Sequence, residues 1–273
     1  MRAECRAGQE PALTQIKGSE LFATAREVKV PDGSGAARLG VLSRPGCVGL
    51  CEQCRIRGLA VCRALEPQAL DELAALATRL ELPAKKLLFD EGEPARSLFT
   101  LVEGVVKLYK ALPDGRRQIT GFLLPGDFLG LAHFTSYAYS AEAVTEVGLC
   151  RFPREGFLRL LERHPALERE LLSRASSELA AAQEQMLLLG RKSAKERVAS
   201  FLLSFARRQA MVGRELVALP MSRNDIADYL GLTIETVSRS IRAVEEEGLI
   251  RLVDRHHYRV VDPDRLRRAA AAG

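Results

Sequence analysis

At 273 residues the chain has room for two domains and a tail, and its 47% apolar content can fill real cores. No apolar run approaches the ~20 residues that cross a bilayer, so neither a membrane span nor a membrane partner is expected. Net charge is +5, and from Arg191 onward there are 16 Lys and Arg against 11 Asp and Glu, while the first 190 residues balance at 24 of each. The positive excess therefore sits in the C-terminal third, as phosphate binding there would require.

The opening MRAECRAGQEPAL lacks the apolar stretch of a signal peptide, which predicts a cytoplasmic protein. Residues 1–46 carry no sustained periodicity and are expected to form a flexible tail, with Cys5 an incidental thiol. Residues 47–64 form a cysteine-rich loop, CVGLCEQCRIRGLAVC, bearing Cys47, Cys51, Cys54 and Cys62. Four thiols so close together in a cytoplasmic chain argue for metal ligation rather than disulfides. A zinc ribbon would pair Cys51 and Cys54 with a second C-x2-C, and the sequence has none. A cubane iron–sulfur cluster accepts irregular spacing and a distant fourth ligand, for which Cys150 in VGLCRF is the candidate. Cluster, zinc and unliganded thiols all remain open on spacing alone, and a lone Cys150 would otherwise read as a buried core thiol.

From Glu66, PQALDELAALATRL reads as an amphipathic helix with Pro in its first turn. The period then shortens. Strands are expected at Leu88–Asp90, Ser97–Val102, Val105–Lys110, Arg117–Leu124, Ser140–Val147 and Gly148–Phe152, separated by Gly- and Pro-rich turns. Many short strands so punctuated predict a small barrel or β jelly roll over residues 65–164, which could be an enzyme or a binding pocket. The four histidines, at 133, 164, 256 and 257, form no metal-binding set within the roll, which argues against a metal-dependent jelly-roll enzyme.

Residues 165–190 read as one long helix. Leu172, Ala175, Leu179, Ala182, Met186 and Leu189 recur in alternating steps of three and four, a heptad seam that predicts a dimerisation helix and a homodimer. Residues 191–273 follow as a winged helix-turn-helix, opening with an amphipathic helix from Ala194 to Gln209. Ser222 caps the next helix, with Asp225 at the capping-box position; Ile226, Ala227 and Leu230 share one face, and Gly231 makes the turn. Thr233 caps the following helix, whose inward face is expected to be Ile234, Val237 and Ile241. That leaves Glu235, Thr236, Ser238, Arg239 and Arg242 facing outward, a set suited to a major groove of double-stranded DNA. LIRLVDRHHYRVVD then reads as a two-stranded wing whose tip, Asp254 to His257, can touch phosphates. The fold class is α+β.

This order of parts resembles the CRP/FNR family of bacterial transcription regulators from about Cys47 to Val261, and within it the FNR branch. The stretches that carry the likeness are the cysteine cluster, RQITGFLLPGDFLG, GLCRFP, MLLLGRKSAKERVASFL and LGLTIETVSRSI. The resemblance implies a cyclic-nucleotide-binding-like roll. Leu131 and Tyr139, however, stand where cyclic-AMP-binding members have Glu and Arg, so no cyclic nucleotide is expected. Ile234 and Ser238 replace the Arg and Gly of those members, whereas Glu235, Ser238 and Arg239 match the FNR-type triad and imply an inverted repeat of TTGAT-type half-sites. The resemblance also implies a [4Fe–4S] cluster on Cys51, Cys54, Cys62 and Cys150, with Cys47 dispensable. Seven residues separate Cys54 from Cys62 where enteric members have five, a longer loop like that of rhizobial-type relatives. It implies further an oxygen-responsive regulator of anaerobic genes that touches RNA polymerase, for which the turn Leu112–Arg117 is a candidate surface. The rival readings are a regulator of the same fold with zinc-bound or redox-sensing cysteines, and a jelly-roll enzyme with an appended DNA-binding module.

Overall fold

The computed structural model describes Cys51 and residues 54–131, 135–211, 213 and 215–271. The expectations for residues 1–46, Cys5 and Cys47 lie outside the described residues. After a short 3-10 turn at Val61–Ala64, helix α1 spans Pro67–Leu76 with Pro67 in its first turn. It is shorter than its periodicity suggested, because Thr78–Leu82 (β1) is a strand pairing with Val147–Pro153 (β8). In TRLEL the alternation that buries Leu80 and Leu82 outweighs helix propensity.

The strands between them are β2 (Leu87–Phe89), β3 (Ser97–Glu103), β4 (Val106–Ala111), β5 (Arg117–Leu123), β6 (Phe128–Leu129) and β7 (Ser140–Ala143). They form two antiparallel four-stranded sheets, ordered β1-β8-β3-β6 and β2-β7-β4-β5, the expected roll. The inner faces enclose Leu80, Phe89, Phe99, Leu101, Val106, Ala141 and Leu149. The outer face of the β1-β8-β3-β6 sheet is apolar as well. Leu98, Phe128 and Phe152 pack there against α1, helix α2 (Arg154–Arg163) and the start of helix α3 (Pro165–Arg191).

Helix α4 (Ala194–Ala210) begins with a complete capping box, Ser193 with Glu196. Then come β9 (Val217–Ala218), α5 (Arg223–Leu230), α6 (Ile234–Glu246), the wing strands β10 (Ile250–Leu252) and β11 (His257–Val260), and α7 (Pro263–Ala271). The wing is three-stranded, β10-β11-β9, because β9 returns to pair with β11. One core joins this half to the roll: Ile119 and Phe122 of β5 pack with Phe201 and Phe205 of α4 and with the α5–α6 pair. Phe122 lies 5.3 Å from the Tyr229 ring, tilted to it, and 5.9 Å from that of Phe205, edge-on, a geometry aromatic quadrupoles favour.

Candidate DNA-reading face and cysteine site

The reading helix is built as its sequence requires. The Ser222 hydroxyl accepts from the Asp225 N–H while Asp225 accepts from the Ser222 N–H, so both orphan donors at the start of α5 are met. Gly231 ends that helix at φ +61°, a conformation glycine adopts without strain. The Thr233 hydroxyl then accepts from the N–H of Thr236 to begin α6. Val237, Ser240, Ile241 and Val244 face inward. Ile234 does not: it is 43% exposed, because the buried face of α6 starts one turn later at Val237.

Glu235, Ser238, Arg239 and Arg242 are exposed, with Thr236 half-buried at their edge. Bonds from its own N–H and from Thr233, with Arg239 nearby, hold the Glu235 carboxyl below its ordinary range. At neutral pH it is an ionised acceptor suited to cytosine N4–H, beside an Arg suited to guanine O6 and N7. Met221, Ser222, Arg223, Arg255 and His256 line a cavity of about 300 Å³ between the α5 N-terminus and the wing tip. Its two guanidinium groups flank a helix N-terminus, where a backbone phosphate is favoured.

Helix α5 is held firmly against the roll. Buried Lys107 (5% exposed) sends Nζ to Asp225 Oδ1 and to Glu142 Oε1, each at 2.9 Å. Arg117 reaches Asp225 Oδ1 at 3.0 Å and Asp228 Oδ2 at 2.8 Å. Gln118 and Gln185 both donate to the Tyr229 carbonyl. Burial pushes the Asp225 carboxyl up, but the bonds from Ser222 and Lys107 outweigh it and leave the carboxyl below its ordinary range. Arg117 is thus a joint between the two halves and does not share the outward role expected of the Leu112–Arg117 turn. Arg116 at that turn is exposed and pairs with Asp114 at 2.7 Å.

The described part of the cysteine loop, Cys51 and residues 54–64, lies at the foot of α3, with Cys51, Cys62 and Cys150 half-buried against the outer face of the roll. Cys51, Cys62 and Cys150 each feel neighbouring thiols. Burial first, then Cys51, Cys150 and Cys54, pushes Cys62 up to about 12. Burial likewise lifts Cys150 to about 11, Cys51 and Cys54 adding to it while Arg79 opposes. Burial and then Cys54 raise Cys51. Among the described residues no three His, Cys, Asp or Glu form a group that could hold a metal ion as they stand.

The loop is tied to α3 by groups that spacing did not single out. Arg174 Nη2 donates to the Leu59 carbonyl at 2.5 Å, Nη1 to the Gly126 carbonyl at 3.1 Å and Nε to Glu170 at 2.9 Å. Glu170 also accepts from Arg63 at 3.0 Å. Beyond this anchor the seam of α3 lies open. Leu172, Leu179 and Met186 are 67%, 61% and 65% exposed, and Ala175 and Ala182 lie between them, also exposed. Leu189 departs from the expectation: it is half-buried against the DNA-reading core beside Gly231, because the end of α3 docks there.

Comparison with known proteins agrees with this arrangement. Residues 79–164 match the family model for a cyclic nucleotide-binding domain, and residues 196–269 that for a Crp-like helix-turn-helix domain. The chain is 48% identical over 230 residues to the transcriptional activatory protein AadR of Rhodopseudomonas palustris, spanning 83% of this chain and 96% of that one. It is 37% identical over 228 residues to the transcriptional activator protein FnrL of Cereibacter sphaeroides, spanning 81% and 92%. The structure of FixK2 from Bradyrhizobium japonicum superposes with a TM-score of 0.68 at 39% identity, covering 72% of this chain and 98% of that one.

The chain belongs to the CRP/FNR family.

It is a DNA-binding transcriptional activator rather than an enzyme, as those relatives are. Within this regulator the roll interior is lined with rings: Phe89 stacks on Tyr137 at 3.7 Å and lies 5.9 Å from Phe99 and from Tyr139. Tyr139 accepts from the Gly130 N–H, and burial pushes its phenol up to about 12, so it stays neutral. Among the described residues no helix is long and apolar enough to cross a membrane.

Proposed function

We propose that this regulator is oxygen-responsive. It binds an inverted repeat of TTGAT-type half-sites as a homodimer when a [4Fe–4S] cluster is held by Cys51, Cys54, Cys62 and Cys150, and so controls anaerobic and microaerobic genes. The observation that carries this reading is the attachment of the cysteine loop to the dimerisation helix through Arg174, Glu170 and Arg63.

The donor set suits such a group. Its ligands are soft sulfur, and burial with neighbouring thiols raises Cys51, Cys62 and Cys150, so ionising these together requires a strong positive partner such as iron. Bound there, a cluster supplies an oxygen-labile tie between the loop and β8. The protein's own residues do the rest. With the loop anchored, Arg174 holds Leu59 and the Gly126 turn against α3 and orients the seam that follows. Leu172, Ala175, Leu179, Ala182 and Met186 then meet their twofold copies, and two α6 helices enter successive major grooves.

Iron and acid-labile sulfide in protein purified without oxygen, followed by DNA binding before and after air, test this reading. Four irons per chain and binding lost in air are expected; zinc in their place would leave a DNA-binding regulator whose signal is different. Leu179→Glu is expected to raise the dimer dissociation constant by about 10²-fold or more, since each buried Leu is worth about 1.5–3 kcal/mol and twofold symmetry counts it twice. Sedimentation velocity reads this directly, and an unchanged dimer would remove the seam. Arg239→Ala is expected to cost about 1–3 kcal/mol on the TTGAT repeat and little on random DNA. Equal losses on both would make Arg239 a phosphate contact.

The reading also places the regulator in the cytoplasm with its DNA, and assigns the exposed Leu112–Arg116 turn to RNA polymerase. No cyclic nucleotide takes part, since Tyr139 brings no charge to a cyclic phosphate and apolar Leu131 no acceptor to a ribose hydroxyl.

A further inference from the structure

Among the described residues one buried hydroxyl on the roll has no partner, and it stands opposite a proposed ligand. Across the outer face of the β1-β8-β3-β6 sheet runs a single row: Arg79 pairs with Cys150, Cys150 with Thr100, and Thr100 with Phe128. Residues directly opposed in an antiparallel pair share a face, with Cβ atoms about 4.5–5.5 Å apart. Thr100 is buried, and its Oγ1 has no hydrogen-bond partner among the described residues. A buried hydroxyl left unpaired costs stability, so its presence asks for an acceptor. On the other side of Cys150, the Arg79 guanidinium lies over Gly148. A Cβ at Gly148 would come within 3.0 Å of Arg79 Cζ, so this glycine leaves room for the guanidinium on the strand next to Cys150.

We propose that Thr100 and Arg79 form a donor cradle for the Cys150 sulfur, giving O–H···S and N–H···S bonds to it when it serves as a cluster ligand. Phe128 closes the end of the row beyond Thr100. Both groups are positioning residues: they act on the metal group through the sulfur and are not ligands. Donors to a ligating sulfur withdraw electron density from it, which favours the electron-rich form of the cluster and makes oxidation harder. The cradle therefore sets how readily air destroys the cluster, independently of which cysteines hold it.

This inference rests on the cluster reading above, and the test separates the two. The wild type, Thr100→Val, Thr100→Ser and Gly148→Ala proteins are purified without oxygen and assayed for iron and sulfide. Their Fe–S(Cys) stretching frequencies are recorded by resonance Raman, and loss of visible absorbance is timed in air-saturated buffer. Thr100→Val is isosteric and lacks only the donor. It is expected to keep the iron, shift the Fe–S(Cys) frequencies, and lose the cluster about fivefold faster, the equivalent of one ordinary hydrogen bond. Without the cluster the same variant is expected to melt about 2–4 °C higher, because an unpaired hydroxyl has left the core. Opposite signs in the two forms distinguish a donor from a packing residue, for which both would move together. Thr100→Ser should restore the wild-type rate, and Gly148→Ala, which displaces the guanidinium, should also speed the loss. Equal iron with unchanged frequencies and rates in Thr100→Val and Gly148→Ala would overturn the cradle alone. A wild-type protein that holds no iron would overturn the cluster reading and the cradle with it.

Discussion

Lys107→Ala is expected to destabilise the protein by about 3 kcal/mol in urea unfolding at neutral pH, the low end of the cost of breaking a buried ion pair. The lysine Nζ serves both Asp225 and Glu142 in a site only 5% exposed, and its removal leaves Asp225 with Arg117 and Ser222. That remaining support is why the figure is not larger. Asp225 is also the capping-box residue of α5, so the damage should reach the orientation of α6, and specific DNA affinity should fall with stability. The pH dependence has a definite sign. The folded-state carboxyl of Asp225 is depressed from its ordinary value of 3.8, so its stabilisation is present above that value and is lost as pH falls through the lower folded one. The penalty of Lys107→Ala is accordingly full at neutral pH, where Asp225 is ionised, and shrinks in acid as it protonates. A penalty that did not change between pH 7 and pH 3 would show that the lysine acts by packing rather than by charge. A double-mutant cycle with Asp225→Asn would give the coupling itself.

Cys51→Ala is expected to abolish anaerobic binding to the inverted repeat. A dimer engaging two half-sites gains about 10²–10⁴ in affinity over one reader acting alone, and under the proposed function that gain is what the loop attachment would secure. Cys51 comes from the loop and Cys150 from β8, so the substitution would remove one end of the proposed cluster tie between them. Cys47→Ala, by contrast, should leave iron content and binding unchanged. Gel-shift titrations under nitrogen and in air read both variants. Oxygen-sensitive binding retained in Cys51→Ala would remove that cysteine from the ligand set. Arg174→Gln is expected to give the complementary result: iron kept while the dimer weakens, because the proposed cluster would no longer be coupled to α3.

Much of this could be read from residue order because it depends on local periodicity and short-range bonds. The Ser222–Asp225 box, the Gly231 turn, the Thr233 cap and the stripe on α3 each lie within a few residues of one another, so backbone geometry carries the sequence pattern directly into structure. Spacing also singled out the cysteine loop, and the strand VGLCRF contained the fourth thiol. Local reading failed where long-range pairing competes with propensity. Thr78–Leu80 continue a helical pattern, yet β8 recruits them, and β6 and β9 are two-residue strands that exist only because a partner lies beside them. Ile234 and Leu189 were misplaced for a related reason. Helical phase gives a residue's direction around the axis, but not where along that axis the neighbouring surface begins or ends.

The sequence by itself therefore determined the parts and their chemistry: a thiol-rich loop, a roll, an apolar seam, a capped reading helix and the positive charge behind it. Tertiary structure alone decided how those parts are joined. Lys107 meets Asp225 across 118 residues, Arg174 meets Leu59 across 115, and Thr100 faces Cys150 through strand register. Such contacts leave no periodic trace, because a single charged or hydroxyl side chain acquires its partner only when the chain folds back and excludes the water that would otherwise satisfy it.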